Sequence, residues 1–375
     1  MKTFTNMVDY VKSEMATFSE KPFCEVDSVV LSWLVYLHFE QTKELTASSK
    51  GMDIRQAFHA ERFDDMLVNV WTPKETIELL GAVVASPRFR NIKMYYYREE
   101  LDAQSGTQFG AVVYKLLPDL AYVAFRGTDW SIVGWEEDFK LALSGPIPSQ
   151  KLALDYLRMV APKFKGRLII GGHSKGGNLA VYSAAFCSPK LQSRIVNIYS
   201  HDGPGFMESE LKSAGFKRIK DRILKTVPQD SFFGLIFKEE CEYRVVDSNA
   251  FAVNQHNPMS WRVTDGDFAL QNDVTGAAKL LREKMNTWID GLSQEDRKKF
   301  IDTVFGMLYK TGVKSFDELA DDPKKYIPIV MKTIGEMDKE TQKFVTHLVK
   351  QLIFGGRKVD KNQKEWKDSF LHTIA

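Results

Sequence analysis

Between Val26 and Phe39 the apolar residues Val29, Val30, Trp33, Leu34 and Leu37 recur at intervals of three and four, the spacing of one face of a helix. A second stretch of this kind runs from about Thr76 to Val84, so the chain is expected to open as helices. After Pro87 the period changes. The runs MYYYREEL, FGAVVYKL and LAYVAFRG are rich in β-branched and aromatic residues and are separated by the turn-forming AQSG and PD, which predicts an antiparallel meander. Downstream, a helix from about Ser149 to Val160, the apolar run RLIIGG, a helix from Gly177 to Phe186, and the runs RIVNIYS and RILKTV follow one another. Strands alternating with helices predict a mostly parallel sheet, hence an α/β fold.

Strand signals stop near Asp267, where Leu281, Met285, Trp288 and Ile289 begin a run of amphipathic helices. Ser293 with Asp296 and Ser315 with Glu318 have capping-box spacing, Asp322 precedes Pro323 at a helix start, and Gly355 with Gly356 closes a helix. The expected organisation is an α/β domain over residues 1–266 and a helical region over residues 267–375, with a charged tail from Arg357 to Asp368. The helical region is expected to cap a pocket, bind a partner or lengthen the core, three roles with the same amphipathic spacing.

Composition narrows the functional classes. The chain has 375 residues, 44% of them hydrophobic, which suffices for a large core and excludes disorder throughout. Lys and Arg number 51 against 49 Asp and Glu, so no basic excess draws in a nucleic acid. The cysteines Cys24, Cys187 and Cys241 are odd in number and widely spaced, which suits neither a zinc cluster nor a disulfide framework. Asp9 and Glu14 interrupt the N-terminus where a secretory segment needs an apolar run, and the stretch from Val29 to Phe39 is too short to span a bilayer. A soluble cytoplasmic protein is expected, with no metal or cofactor site.

The chemistry concentrates in Gly172-His173-Ser174-Lys175-Gly176, a G-x-S-x-G between an apolar strand and a helix. A sharp turn at this position needs glycines for close backbone approach and lifts the serine hydroxyl above the sheet. An ordinary glycine-rich turn whose serine caps the helix would read the same way. Lys175 precedes the final glycines, so the segment is not a P-loop. A serine nucleophile needs a base, and the base needs an acid to hold its tautomer.

With the chain order serine, acid, histidine, His256 in the loop NQHNP is the candidate base, because His201 leaves little room for an acid, His347 lies in a helical pattern and His372 lies in the tail. Asp230, just after RILKTV, is the favoured acid, with Asp202 and Asp247 as rivals. Lys175 N–H and Thr128, at the end of the strand carrying Phe125-Arg126-Gly127, are the candidate oxyanion donors.

Taken together, VAFRGT, Trp135 with Asp138, and GHSKGG resemble the class 3 (fungal-type) lipases of the α/β-hydrolase superfamily, and DGPGF at Asp202 to Phe206 with QHNPMSW at Gln255 to Trp261 resembles a bacterial lipase-like subfamily. The resemblance covers roughly Val26 to Val263. It implies an α/β-hydrolase fold, Ser174 as nucleophile, Asp230 as acid, His256 as base, and Thr128 with Lys175 as oxyanion donors. It also implies a small-molecule or lipid-like ester substrate. Lipases of this group commonly carry leucine where this chain has Lys175, a cation that would either favour an acidic substrate group or pair with a carboxylate.

The segment from Asp129 to Pro146 falls where the group carries its lid, and Trp130, Ile132, Val133 and Trp135 suit either an apolar flap or a helix packed on the core. A serine esterase is therefore expected, with a non-catalytic hydrolase-fold binding protein as the competing class.

Overall fold

The computed structural model describes residues 5–39, 50–236, 241–316, 318, 322–336, 338–339 and 342–343. His347, His372, the Gly355–Gly356 helix end and the tail from Arg357 lie outside the described residues.

Its centre is a nine-stranded mixed sheet. The strands are β1 (Met52–Asp53), β2 (Lys93–Asp102), β3 (Thr107–Leu117), β4 (Leu120–Phe125), β5 (Arg167–His173), β6 (Ile195–His201), β7 (Ile223–Pro228) and β8 (Tyr243–Val246). Beyond them, β9 (Val263–Thr264) and β10 (Asp267–Phe268) form a small hairpin, and β11 (Leu270–Gln271) closes the main sheet against β8. Strands β2 to β4 pair antiparallel, as the meander pattern predicts, β1 adds antiparallel to β2 outside that pattern, and β4 to β8 pair in parallel, so the sheet is mixed rather than mostly parallel. This is an α/β-hydrolase fold. The short strands β10 and β11 carry sheet structure past residue 266, and the first long helix after them begins at Gly276.

The central strands are buried on both faces, and their side chains divide by parity. Phe109, Ala111, Val113, Ala121, Val123, Phe125, Leu168 and Ile170 share one core. It is completed by α5 (Pro148–Val160) and α6 (Lys175–Phe186). Val112, Tyr114, Tyr122, Ala124 and Ile169 face the opposite way. They pack with α1 (Met7–Ser13), α2 (Glu25–Leu34) and α3 (Pro73–Ala85). Helix α4 (Ile132–Ser144) joins a third core with α7 (Gly276–Gly291), α8 (Gln294–Thr311) and α9 (Pro323–Gly335). Among the described residues, no helix is long and apolar enough to cross a membrane.

Helix α2 is buried along its whole length, which accounts for its continuous apolar run, and it ends sooner than the periodicity predicts because the chain turns to bond His38 N–H to Met66 O. Its polar residues are all engaged. Asp27 receives two bonds from the buried Arg88 guanidinium at 2.7 and 2.5 Å, and Tyr10 Oη donates to it at 2.9 Å. Ser28 and Ser32 meet Tyr122 Oη at 2.9 and 2.6 Å, and His201 Nε2 meets Ser28 Oγ at 2.8 Å. Burial pushes the His201 imidazole down to about 3, so it is neutral in the fold.

Two predictions follow from these buried groups. Arg88→Met leaves Asp27 charged and uncompensated, and is expected to cost about 3–5 kcal/mol in chemical denaturation, whereas Arg88→Met with Asp27→Leu recovers much of that loss. His201 is held neutral in the fold but takes a proton in the unfolded chain below its ordinary value of about 6.5. Its contribution is therefore complete above that pH and lost as pH falls from about 6.5 toward 3. Thermal unfolding across this window is expected to show a shallower pH dependence in His201→Gln than in the wild type.

Candidate active site

The turn from β5 into α6 places Ser174 at φ 56° and ψ −133°, a left-handed conformation that a non-glycine residue adopts only under constraint. Its neighbours show why glycines flank it. A Cβ on Gly172 would lie 2.3 Å from the Gly176 carbonyl carbon, and one on Gly176 would lie 2.2 Å from Phe125 O. Two backbone bonds hold the turn, Ser174 N–H to His201 O and Gly177 N–H to Ser174 O, both 2.9 Å.

The end of β4 runs directly against this turn. A Cβ on Gly127 would approach Tyr36 Oη at 2.2 Å, His173 O at 2.4 Å and Ser174 Cβ at 3.0 Å, so only glycine passes there. Thr128 follows, buried, its carbonyl accepting from Trp71 Nε1–H at 2.9 Å. Thr128 Oγ1 and Asp138 Oδ1 are both buried without completing a hydrogen bond of ordinary geometry. Burial raises the Asp138 carboxyl to about 6, against the opposing pull of the Lys175 ammonium and the Thr128 hydroxyl.

The Lys175 side chain turns away from the serine. Its ammonium is buried and donates to Glu137 Oε2 at 2.7 Å, to Gln108 Oε1 at 2.7 Å and to Gln108 O at 2.9 Å. Glu137 is completed by Gln108 N–H and by the Ser149 N–H and Oγ–H. Of the two expectations for this cation, the structure has the pairing with a carboxylate.

His256 meets a carboxylate through Nδ1, 2.6 Å from Asp202 Oδ2. A carboxylate only accepts here, so Nδ1 carries the hydrogen and Nε2 is left as the basic nitrogen. Asp202 is fully buried, sits at φ 50° just beyond β6, and accepts a second bond from Ser231 Oγ. The carboxylate on His256 is thus Asp202 and not the favoured Asp230.

Asp230 binds the neighbouring Gln255, accepting from its side-chain amide at 2.9 Å and donating its own N–H to Gln255 Oε1 at 2.8 Å, and accepts from Thr275 Oγ1 at 2.6 Å. It anchors the loop that carries His256 to Thr275, the N-cap of α7. Asp247 is occupied by Arg262 at 3.2 Å.

Around His256 the surroundings are aromatic. Phe233 lies 4.5 Å away between ring centroids and Trp71 6.0 Å away, and Trp71 stacks on Trp130 at 4.3 Å. Trp135, in the segment expected to hold a lid, is buried between Phe233 and Phe316. The chain near Ser315 pairs with Ser131 through Ile132 N–H to Lys314 O at 2.9 Å and Phe316 N–H to Trp130 O at 3.0 Å. The C-terminal helices therefore share a core with α4. Ser174 and His256 are 6% and 5% exposed, so the site is covered.

The residues unforeseen from sequence are Tyr36, Trp71, Ser231 and Phe233. Each reaches the site from an element distant in the chain, and none carries a local motif. Asp202 had a local signal, its place directly after β6. What was missing was the sheet order, in which β6 adjoins β5 and β7 stands one strand spacing, about 4.8 Å, further from the serine.

No curated protein matches the chain. Among solved structures it is similar to Lip2 lipase of Yarrowia lipolytica, at 12% identity and a TM-score of 0.32 over 52% of this chain and 77% of that one. A mutant form of MDLA from Penicillium cyclopium is similar at 13% identity and a TM-score of 0.39, over 67% and 87% of the two chains. Lipase II of Rhizopus niveus gives 12% and 0.32 over 65% and 90%. A family model described as Mbeg1-like matches residues 83–306, more than half of the sequence, and the chain belongs to the Mbeg1-like family.

Proposed function

We propose that the protein is a serine hydrolase that cleaves carboxylic esters through an acyl-enzyme on Ser174, with His256 as base and Asp202 as the orienting acid. The observation that carries this reading is the buried Asp202 to His256 Nδ1 contact beside a serine in left-handed backbone. In the first half-reaction Ser174 Oγ attacks the ester carbonyl while His256 Nε2 takes its proton, and Asp202 stabilises the imidazolium. Lys175 N–H and the Thr128 hydroxyl are the proposed donors to the tetrahedral oxyanion. On collapse the alcohol leaves with the proton from His256, and water, deprotonated by the same nitrogen, releases the acid.

The substrate expected is an uncharged, lipid-like ester. Trp71, Trp130 and Phe233 present apolar rings near His256, and the Lys175 charge is spent on Glu137 rather than offered to a ligand.

Fluorophosphonate labelling and turnover of p-nitrophenyl esters of graded chain length test the proposal. The wild type is expected to label and turn over, and Ser174→Ala to do neither. Asp202→Asn is expected to lower kcat by about 10⁴, the scale seen when a triad histidine loses its orienting carboxylate. Asp230→Asn removes a loop anchor and is expected to cost less than about tenfold on the same kinetic scale. A greater loss in Asp230→Asn than in Asp202→Asn would return the acid's role to Asp230. A wild type that neither labels nor turns over would make the protein a non-catalytic binding protein.

A further inference from the structure

His173, the residue before the serine, has a place in the site that its position in the motif does not explain. Its buried ring lies between two partners: Nε2 is 2.8 Å from the backbone oxygen of His256, and Nδ1 is 3.0 Å from Tyr36 Oη. A carbonyl oxygen can only accept, so Nε2 carries the hydrogen. A neutral imidazole has one such hydrogen, so Nδ1 is the acceptor and Tyr36 donates to it. The two bonds define a single tautomer. Burial, with the neighbouring His256 acting in the same direction, holds His173 well below the ordinary histidine range, so this uncharged form persists.

The loop that receives this bond is under strain. Ala252 opens it at φ 52°, and the segment Ala252–His256 is a short 3-10 turn. Two consecutive carbonyls of the turn are held from outside, Gln255 O by Trp261 Nε1–H at 2.7 Å and His256 O by His173 Nε2–H. These two donors fix the end of the turn at the residue that presents the imidazole.

We propose that His173 is a positioning residue, whose Nε2–H fixes the backbone of His256 and so aims the base at Ser174. The proposal rests on the triad reading above. Charge adds a second reason for a neutral donor here. The His173 and His256 rings are 4.6 Å apart between centroids, and His256 becomes an imidazolium in each half-reaction. A cation at position 173 would oppose that charge at close range, whereas neutral imidazole supplies the donor without it.

Four variants separate this role from packing. In His173→Leu the donor is lost, and both the labelling rate and kcat are expected to fall about 100-fold, the scale of a small misplacement of a catalytic group, with KM changed less than about threefold. In His173→Gln the amide nitrogen takes the position of Nε2 and is expected to restore the rates to within about tenfold of wild type. In His173→Asn the shorter amide reaches only the position of Nδ1 and is expected to behave like the leucine variant. Tyr36→Phe keeps the Nε2 donor and is expected to lose less than about tenfold.

Thermal unfolding of each variant is measured alongside. Where His173→Leu does not fold, the comparison of Gln with Asn decides. If wild type labels and folded His173→Leu labels at the same rate, or if Gln and Asn are equally impaired, the positioning role is overturned and the triad stands. If wild type does not label at all, the triad reading fails and this role falls with it.

Discussion

The backbone of Ser174, held at φ 56°, is the constraint on which the rest of the site depends. Such a conformation costs on the order of 1–3 kcal/mol in a residue with a Cβ, and the surrounding structure has to offset it. It does so by approach rather than by many bonds. Gly172, Gly176 and Gly127 let β4, β5 and α6 come closer than any side chain would allow, and the bonds to His201 O and from Gly177 N–H then hold the turn from both sides. A larger residue at any of the three glycines would push the strands apart before it changed any chemical group.

Around this turn lie buried polar groups, each of which has to be satisfied to avoid a desolvation penalty of about 1–3 kcal/mol. Asp202 is met by Ser231 and His256, Glu137 by Lys175, Gln108 and Ser149, and His173 by Tyr36 and the His256 carbonyl. Thr128 Oγ1 and Asp138 Oδ1 depart from this pattern, buried and without a regular bond, next to the loop that touches the serine. In the proposed mechanism the Thr128 hydroxyl would turn from the Asp138 carboxyl toward the charge that develops on the substrate oxygen.

How much of this was legible in the sequence depended on the range of the interaction concerned. The elbow was legible because strand, glycines, serine and helix are contiguous, and so was the alternation that produces the parallel strands. His256 could be reached by elimination. The carboxylate that meets His256 could not be chosen, because Asp202 and Asp230 both follow apolar strands and only the lateral order of β5, β6 and β7 distinguishes them. Lys175 was ambiguous for a related reason. Its backbone belongs to the turn by sequence, but the direction of its side chain is set by Glu137, 38 positions earlier in the chain. The aromatic residues at the site were least legible, because Trp71, Trp130 and Phe233 have no periodicity linking them and meet only through tertiary packing.

The pair formed by Lys175 and Glu137 also decides how α4 relates to the serine. Both charged groups are withdrawn from water, and separating them would leave each without compensation at a cost of about 3–5 kcal/mol. Glu137 lies two positions after Trp135 and directly before Asp138, so one turn of α4 carries an apolar contact to Phe233 and Phe316, the anchor to Lys175, and the carboxyl beside Thr128. On its outer side the same helix is covered by α8, through Phe139 against Phe300 and Phe305 at 6.1 and 5.4 Å between ring centroids. Displacing α4 would therefore break a buried ion pair and expose an apolar face together. That coupling makes the helix part of the support of the turn at Ser174, and it gives a lysine after the serine a structural role that leucine at the same position would not supply.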